Sequence, residues 1–167
     1  MLANRETIQM VYQVVESKGY IDIEATGSSM SPFIRDKDKC RFIPFKTTDL
    51  AKGDVILYIN ANGELIGHRF YKMTKNPDGV KQYWLKADNQ PDFDEPVLQD
   101  QFIGRLYVIE RKGRIMEPSD LGMRLWTALI LNVPFVPTLL KRLADKKQYK
   151  TLSNSGNVSS IMEKINK

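Results

Sequence analysis

Between Tyr20 and Glu117 turn residues cut the chain into short stretches, and this punctuation limits the fold more than any other feature. Six stretches have strand character: Tyr20–Ala25, Lys39–Phe45, Val55–Asn60, Leu65–Met73, Val80–Lys86 and Phe102–Glu110. Ala61-Asn62-Gly63 spaces the third and fourth as a hairpin loop does, and Asn76-Pro77-Asp78-Gly79 joins the fourth and fifth in the same way. Lys112-Gly113 marks a further turn. Runs of strands at hairpin spacing predict a mainly β fold, with an antiparallel sheet that is coiled or barrel-like. Helices flank it. Asn4–Lys18 places Ile8, Val11, Tyr12 and Val15 on one helical face, with Gly19 as the stop. After the strands, Ser119 reads as an N-cap with Asp120 in the first turn, and a helix runs to about Asn132. Pro134 and Pro137 then break it, and a basic segment follows over Lys141–Lys150. The chain divides into an N-terminal amphipathic helix (1–19), a β-rich domain (20–117), a helical extension that is first apolar and then basic (118–150), and a mobile polar tail (151–167).

Composition sets the outer bounds. An apolar share of 42% and a charged share of 27% over 167 residues exclude wholesale disorder and suffice for a core without staples. Cys40 is the only cysteine, so no internal disulfide forms; with a single histidine besides, the sequence argues against a zinc site. Cys40 reads as a small residue in a strand. The net charge of +5 lies in the last 27 residues, which carry seven Lys/Arg against two Asp/Glu, while residues 1–140 balance. A balanced body and a single N-terminal helix argue against nucleic-acid binding. Met1–Gly19 is periodic and charged where a signal peptide is continuously apolar, so the expected location is cytoplasmic. The longest uncharged run, Leu125–Leu140, is short for a membrane span and is interrupted by Asn132 and two prolines.

Three places carry residues fit for chemistry. Thr26-Gly27-Ser28-Ser29-Met30-Ser31-Pro32-Phe33 directly follows a predicted strand, with Gly27 free to take backbone angles closed to other residues. His68 lies in the second strand of a predicted hairpin, where alternation groups it with Ile66 and Phe70 and puts Gly67 and Arg69 on the other face. Imidazole titrates near ~6.5 and is the natural general base at neutral pH. The third is the acidic stretch Ala87-Asp88-Asn89-Gln90-Pro91-Asp92-Phe93-Asp94-Glu95. An activated serine needs a base, and the base needs an orienting carboxylate. By themselves these segments read equally as a polar loop, a core histidine and a solvated acidic turn.

Together they resemble the signal peptidase I superfamily. Gly27-Ser28-Ser29-Met30-Ser31-Pro32 is similar to its Ser-Met-x-Pro nucleophile motif, and Lys52-Gly53-Asp54-Val55-Ile56 to its Gly-Asp-Val/Ile strand entry. Gly67-His68-Arg69-Phe70 resembles the His-Arg motif of the endoplasmic-reticulum-type branch, shared by SipW-like bacterial enzymes, which uses histidine where most bacterial signal peptidases use lysine. Lys86-Ala87-Asp88-Asn89 with Asp94 resembles the Gly-Asp-Asn…Asp segment, and Phe102-Ile103-Gly104-Arg105 the closing strand. The motifs run in family order over about half of the chain. The resemblance implies a serine endopeptidase without metal or cofactor. Ser29 is then the nucleophile, His68 the general base and Asp94 the orienting acid, with Asp88 as the alternative orienter and Asp54 a structural acid near the site. Gly27, Ser28 and Met30 form the oxyanion and substrate loop, and the backbone N–H of Ser29 is one oxyanion donor. The family holds its substrate as an added strand, in shallow pockets for small residues. Gly27 stands where signal peptidases carry a hydroxyl, as in the self-cleaving repressors of the same superfamily, so a side-chain oxyanion donor falls to Ser28 or Thr26. Ala87 replaces the usual glycine, and the polar helix over Asn4–Lys18 stands where signal peptidases carry a membrane anchor.

The expected function is cleavage of an extended segment in a precursor or in a leader or signal peptide. Two other readings stay open: a self-cleaving regulatory module, and a binding protein on the same fold that has lost its chemistry. The repressors use a lysine base and a DNA-reading domain, neither of which is visible here. The stretch 125–150 has two readings as well. It lies in a membrane interface with its basic residues on anionic lipid, or Leu125, Leu129 and Phe135 cover a side of the β core.

Overall fold

In the computed structural model, which describes residues 5–154, the first apolar period forms α1 (Arg5–Lys18). Val11 and Val15 are buried, and the Tyr12 hydroxyl donates to the Asp100 carbonyl at 2.6 Å. Gly19 ends the helix in the left-handed region (φ 75°), and its N–H closes on the Val15 carbonyl at 2.9 Å. The strands follow as β1 (Ile21–Glu24), β2 (Lys39–Ile43), β3 (Val55–Ile59), β4 (Leu65–Lys75), β5 (Lys81–Lys86), β6 (Phe102–Arg111) and β7 (Arg114–Met116). The six predicted strands all form, with ends within two residues of expectation. The seventh, β7, is three residues long and joins β6 through the Lys112-Gly113 turn, where both residues have positive φ. A strand that short has too few residues to show alternation.

All seven strands make one antiparallel sheet in the order β1-β2-β6-β3-β4-β5, with β7 beside the end of β6. Register shifts at Arg41/Phe42, Leu57/Tyr58 and Phe70/Lys72 sharpen the local twist. The expectation of a barrel is corrected here. Closure needs hydrogen bonds between the outermost strands, and β1 pairs only with β2 while β5 pairs only with β4 and, through one bridge, Val97. The sheet stays open.

β3 is the central strand, and all five of its residues are buried. Alternation sends Val55, Leu57 and Ile59 into a core with Phe42, Ile103, Leu106, Ile109 and α1. Ile56 and Tyr58 point to the other face, with Phe70, Tyr83, Leu85 and Val97.

The C-terminal part consists of α2 (Leu121–Asn132) and α3 (Val136–Asn154). Two local expectations are corrected. The N-cap of α2 is Asp120, not Ser119; Asp120 Oδ2 accepts the Glu117 N–H at 2.8 Å, and the Ser119 hydroxyl donates to the Glu117 carboxylate. Only Pro134 lies in the break, while Pro137 sits in the first turn of α3, where a helix has no use for its missing N–H. Thr151–Asn154 continue α3, and the rest of the tail expected over 151–167 lies outside the described residues. α2 packs inward through Met123, Trp126 and Ile130. Leu125, Leu129 and Phe135 are exposed and do not cover the sheet. Among the described residues no single helix is long and apolar enough to cross a membrane; α2 and the first half of α3 meet at 104°.

Candidate active site

The loop between β1 and β2 carries Ser29. Its ends are tied by Ala25 N–H to the Asp38 carbonyl and Lys37 N–H to the Ala25 carbonyl, both at 2.8 Å. Inside it, Ser31 N–H reaches the Ser28 carbonyl and Ile34 N–H the Met30 carbonyl, each at 3.0 Å, which winds residues 28–34 into a tight turn. Met30, Phe33 and Ile34 are buried and anchor the turn to the core, while Ser28 stays exposed. Gly27 supplies the entry at φ 84°, with its N–H on Asp36 Oδ1 at 3.0 Å. A second clamp comes from the acidic loop. Asn89 N–H donates to the Ser29 carbonyl at 3.0 Å, and its side-chain amide to the Ser28 carbonyl at 3.1 Å. Asn89 was part of a motif in the sequence, but nothing there assigned it this role.

His68 projects from β4, opposite Ile56 of β3, and its ring meets the Tyr58 ring edge-on at 6.4 Å. Asp94 is held beside it by its own N–H, which donates to the Leu85 carbonyl at 2.9 Å. His68 Nδ1 lies 2.7 Å from Asp94 Oδ2, and His68 Nε2 lies 3.4 Å from Ser29 Oγ. The fold therefore brings together three residues separated by 39 and 26 positions along the chain. A proton on Nδ1, donated to the carboxylate, leaves the Nε2 lone pair facing the hydroxyl. The Tyr58 hydroxyl also donates to Asp94 Oδ2, at 3.0 Å. Burial, and then the adjacent Asp94 charge and hydrogen bond, push the phenol above its ordinary range, so it remains a protonated donor.

Asp88 lies elsewhere. Its carboxylate is fully buried and takes both forks of Arg69, Nε to Oδ1 and Nη2 to Oδ2, each at 2.8 Å. Trp126 Nε1 of α2 donates to Asp88 Oδ2 at 2.9 Å. Arg69 Nη1 reaches the Gly53 carbonyl at 2.8 Å and Thr127 Oγ1 at 2.9 Å, and the guanidinium lies over the Phe33 ring. Asp54 holds its own turn, accepting the Ala51 N–H at 2.9 Å and facing Arg105 at 3.4 Å. Arg69, Trp126 and Thr127 drew no notice in the sequence as partners, because only the third dimension brings α2 onto β4.

A cleft of about 650 Å³ opens beside Ser29 and His68. Ile23, Phe42, Leu57, Leu65 and Ile66 give it an apolar lining, and Thr26, Gly27 and Met30 reach it from the loop. Ser28 does not line it. The Ser29 N–H has no acceptor among the described residues. Cys40 also borders the cleft, and burial pushes its thiol up to about 12. Among the described residues no His, Cys, Asp or Glu cluster is arranged to hold a metal. No family model matches this chain, and no curated protein matches its sequence.

Proposed function

We propose that this chain is a serine endopeptidase of the signal peptidase I type that cleaves an extended segment of a precursor or of a leader or signal peptide. The observation that carries the reading is the Ser29–His68–Asp94 line, with 3.4 Å and 2.7 Å between successive polar atoms, beside an apolar cleft. The first distance is long for a hydrogen bond, as catalytic bonds often are before substrate closes the site.

Chemistry follows from the geometry. Ser29 Oγ attacks the peptide carbonyl as His68 Nε2 takes its proton, and Asp94 steadies the imidazolium through Nδ1. The tetrahedral oxyanion is met by the Ser29 N–H. The C–N bond then breaks, His68 returns the proton to the leaving amine, and water repeats the sequence on the acyl-enzyme to free Ser29. The substrate lies extended between the unpaired edge of β1 and the start of β4, and its small side chains enter the cleft. Main-chain hydrogen bonds supply most of its affinity.

Incubation with a panel of precursor peptides carrying small residues at candidate sites, read by mass spectrometry, tests this. Discrete products are expected from the wild type and none from Ser29→Ala or His68→Ala. Clipping of the chain itself, lost in Ser29→Ala, moves the reading to the self-cleaving module. A folded protein that binds these peptides without cutting them moves it to a non-catalytic module.

A further inference from the structure

The outward faces of α2 and α3 do not look like those of helices that meet only water. A helix on the surface of a water-soluble protein turns charged residues outward. Here Leu121 (73% exposed), Leu125 (62%) and Leu129 (41%) follow one another at four-residue spacing along α2. Phe135 (68%), Leu139 (53%) and Leu143 (55%) repeat that spacing from the corner along α3. Residues four apart share a helix face, so each helix presents an apolar row. The charges around these rows have one sign. Between 121 and 144 no acidic residue occurs, while Arg124, Lys141 and Arg142 are all exposed; Lys146 follows Asp145 one step further on.

We propose that α2 and the first half of α3 dock this protein on an anionic lipid surface, apolar rows in the acyl boundary and basic side chains on the headgroups. A helix of 12 residues is about 18 Å long, too short to span a bilayer. Two short helices set at 104° suit an interface, where an apolar face sinks only a few ångströms and cations add electrostatic attraction. A second copy of the chain fits less well. Apposing two such faces brings Arg124, Lys141 and Arg142 against their own copies, with no acidic residue between 121 and 144 to pair them. The proposal is independent of the peptidase reading, because its test reads attachment and not cleavage.

The test is flotation of the full chain with phosphatidylcholine vesicles, with and without about 30% phosphatidylserine. Attachment to the anionic vesicles at low salt is expected, falling steeply with added salt, and little is expected on phosphatidylcholine alone. Lys141→Ala and Arg142→Ala should each weaken it about fivefold, the worth of one basic residue at such a surface. Leu125→Asp with Leu139→Asp should weaken it more than tenfold while circular dichroism stays that of the wild type; both positions are exposed, so neither change opens the core. No attachment at low salt would overturn the proposal. So would attachment that the leucine variants leave intact, since that assigns binding to charge alone. A concentration-dependent dimer lost in the leucine variants, without vesicle binding, would also overturn it and give the face to a second copy.

Discussion

Asp94 Oδ2 accepts from two directions, His68 Nδ1 at 2.7 Å and the Tyr58 hydroxyl at 3.0 Å, so the carboxylate is fixed by the fold itself. Tyr58 is buried on the same face as the histidine and touches it only ring to ring. Its role is therefore to position Asp94. Tyr58→Phe should lower kcat about threefold to tenfold at unchanged KM, the usual worth of one hydrogen bond. Asp94→Asn should cost about 10³–10⁴-fold in kcat, since the amide favours the wrong tautomer of the base. Steady-state kinetics on any cleaved peptide separate the two. Cys40 gives a test that needs no substrate. Its thiol, buried and raised to about 12, stays protonated at neutral pH and should resist iodoacetamide in the folded protein. Intact-mass spectrometry should show alkylation only after denaturation.

At the scale of elements, the Ser29 loop depends on β6. Arg111 reaches across to Asp38 at 2.6 Å and to the Phe33 carbonyl at 2.8 Å, which ties the loop's return to the sheet. Burial pushes Asp38 up, but the hydrogen bonds from Arg111 and the Arg35 N–H, with both positive charges, outweigh it and hold the carboxyl below its ordinary value. A lowered folded pKa means stability that is complete above the unfolded value, about 3.9, and is lost as pH falls through the folded one. Thermal melts should therefore show Asp38→Asn less stable than wild type at pH 7, with the gap closing below about pH 4. Much at this scale was legible beforehand. Hairpin turns placed six strands, alternation put His68 with Ile66 and Phe70, and the three segments singled out for their chemistry meet at Ser29, His68 and Asp94. The resemblance ranked Asp94 ahead of Asp88, but residue chemistry alone left Asp88 open, because the two lie six positions apart on one loop and only the packing of β4 turns Arg69 toward one and His68 toward the other. Closure was misjudged because short hairpin strands look alike in an open sheet and in a barrel. The cap of α2 was misplaced by one residue, where neighbouring Ser119 and Asp120 offer equivalent chemistry.

Across the whole molecule, one guanidinium joins parts that the sequence separates. The fully buried Arg69 holds Asp88 of the acidic loop, the Gly53 carbonyl at the entry to β3 and the half-buried Thr127 on α2. Removing a buried donor costs about 1–3 kcal/mol, so Trp126→Phe, which strips one bond from Asp88, should lower the melting temperature. Because sheet and helices share this network, calorimetry should show one transition for wild type and variant alike. Asn89, next in sequence to Asp88, grips the Ser28 and Ser29 carbonyls, so only two residues separate α2 from Ser29. The consequence concerns modularity. Leu121, Leu125 and Leu129 on the outer face of α2 take no part in this network, but its underside cannot be exchanged, since a grafted helix without Trp126 and Thr127 strips partners from the buried Arg69 and Asp88. A chimera that keeps Trp126 and Thr127 with the inward-packing Met123 and Ile130, and replaces only the outer face, is the one expected to inherit an intact site.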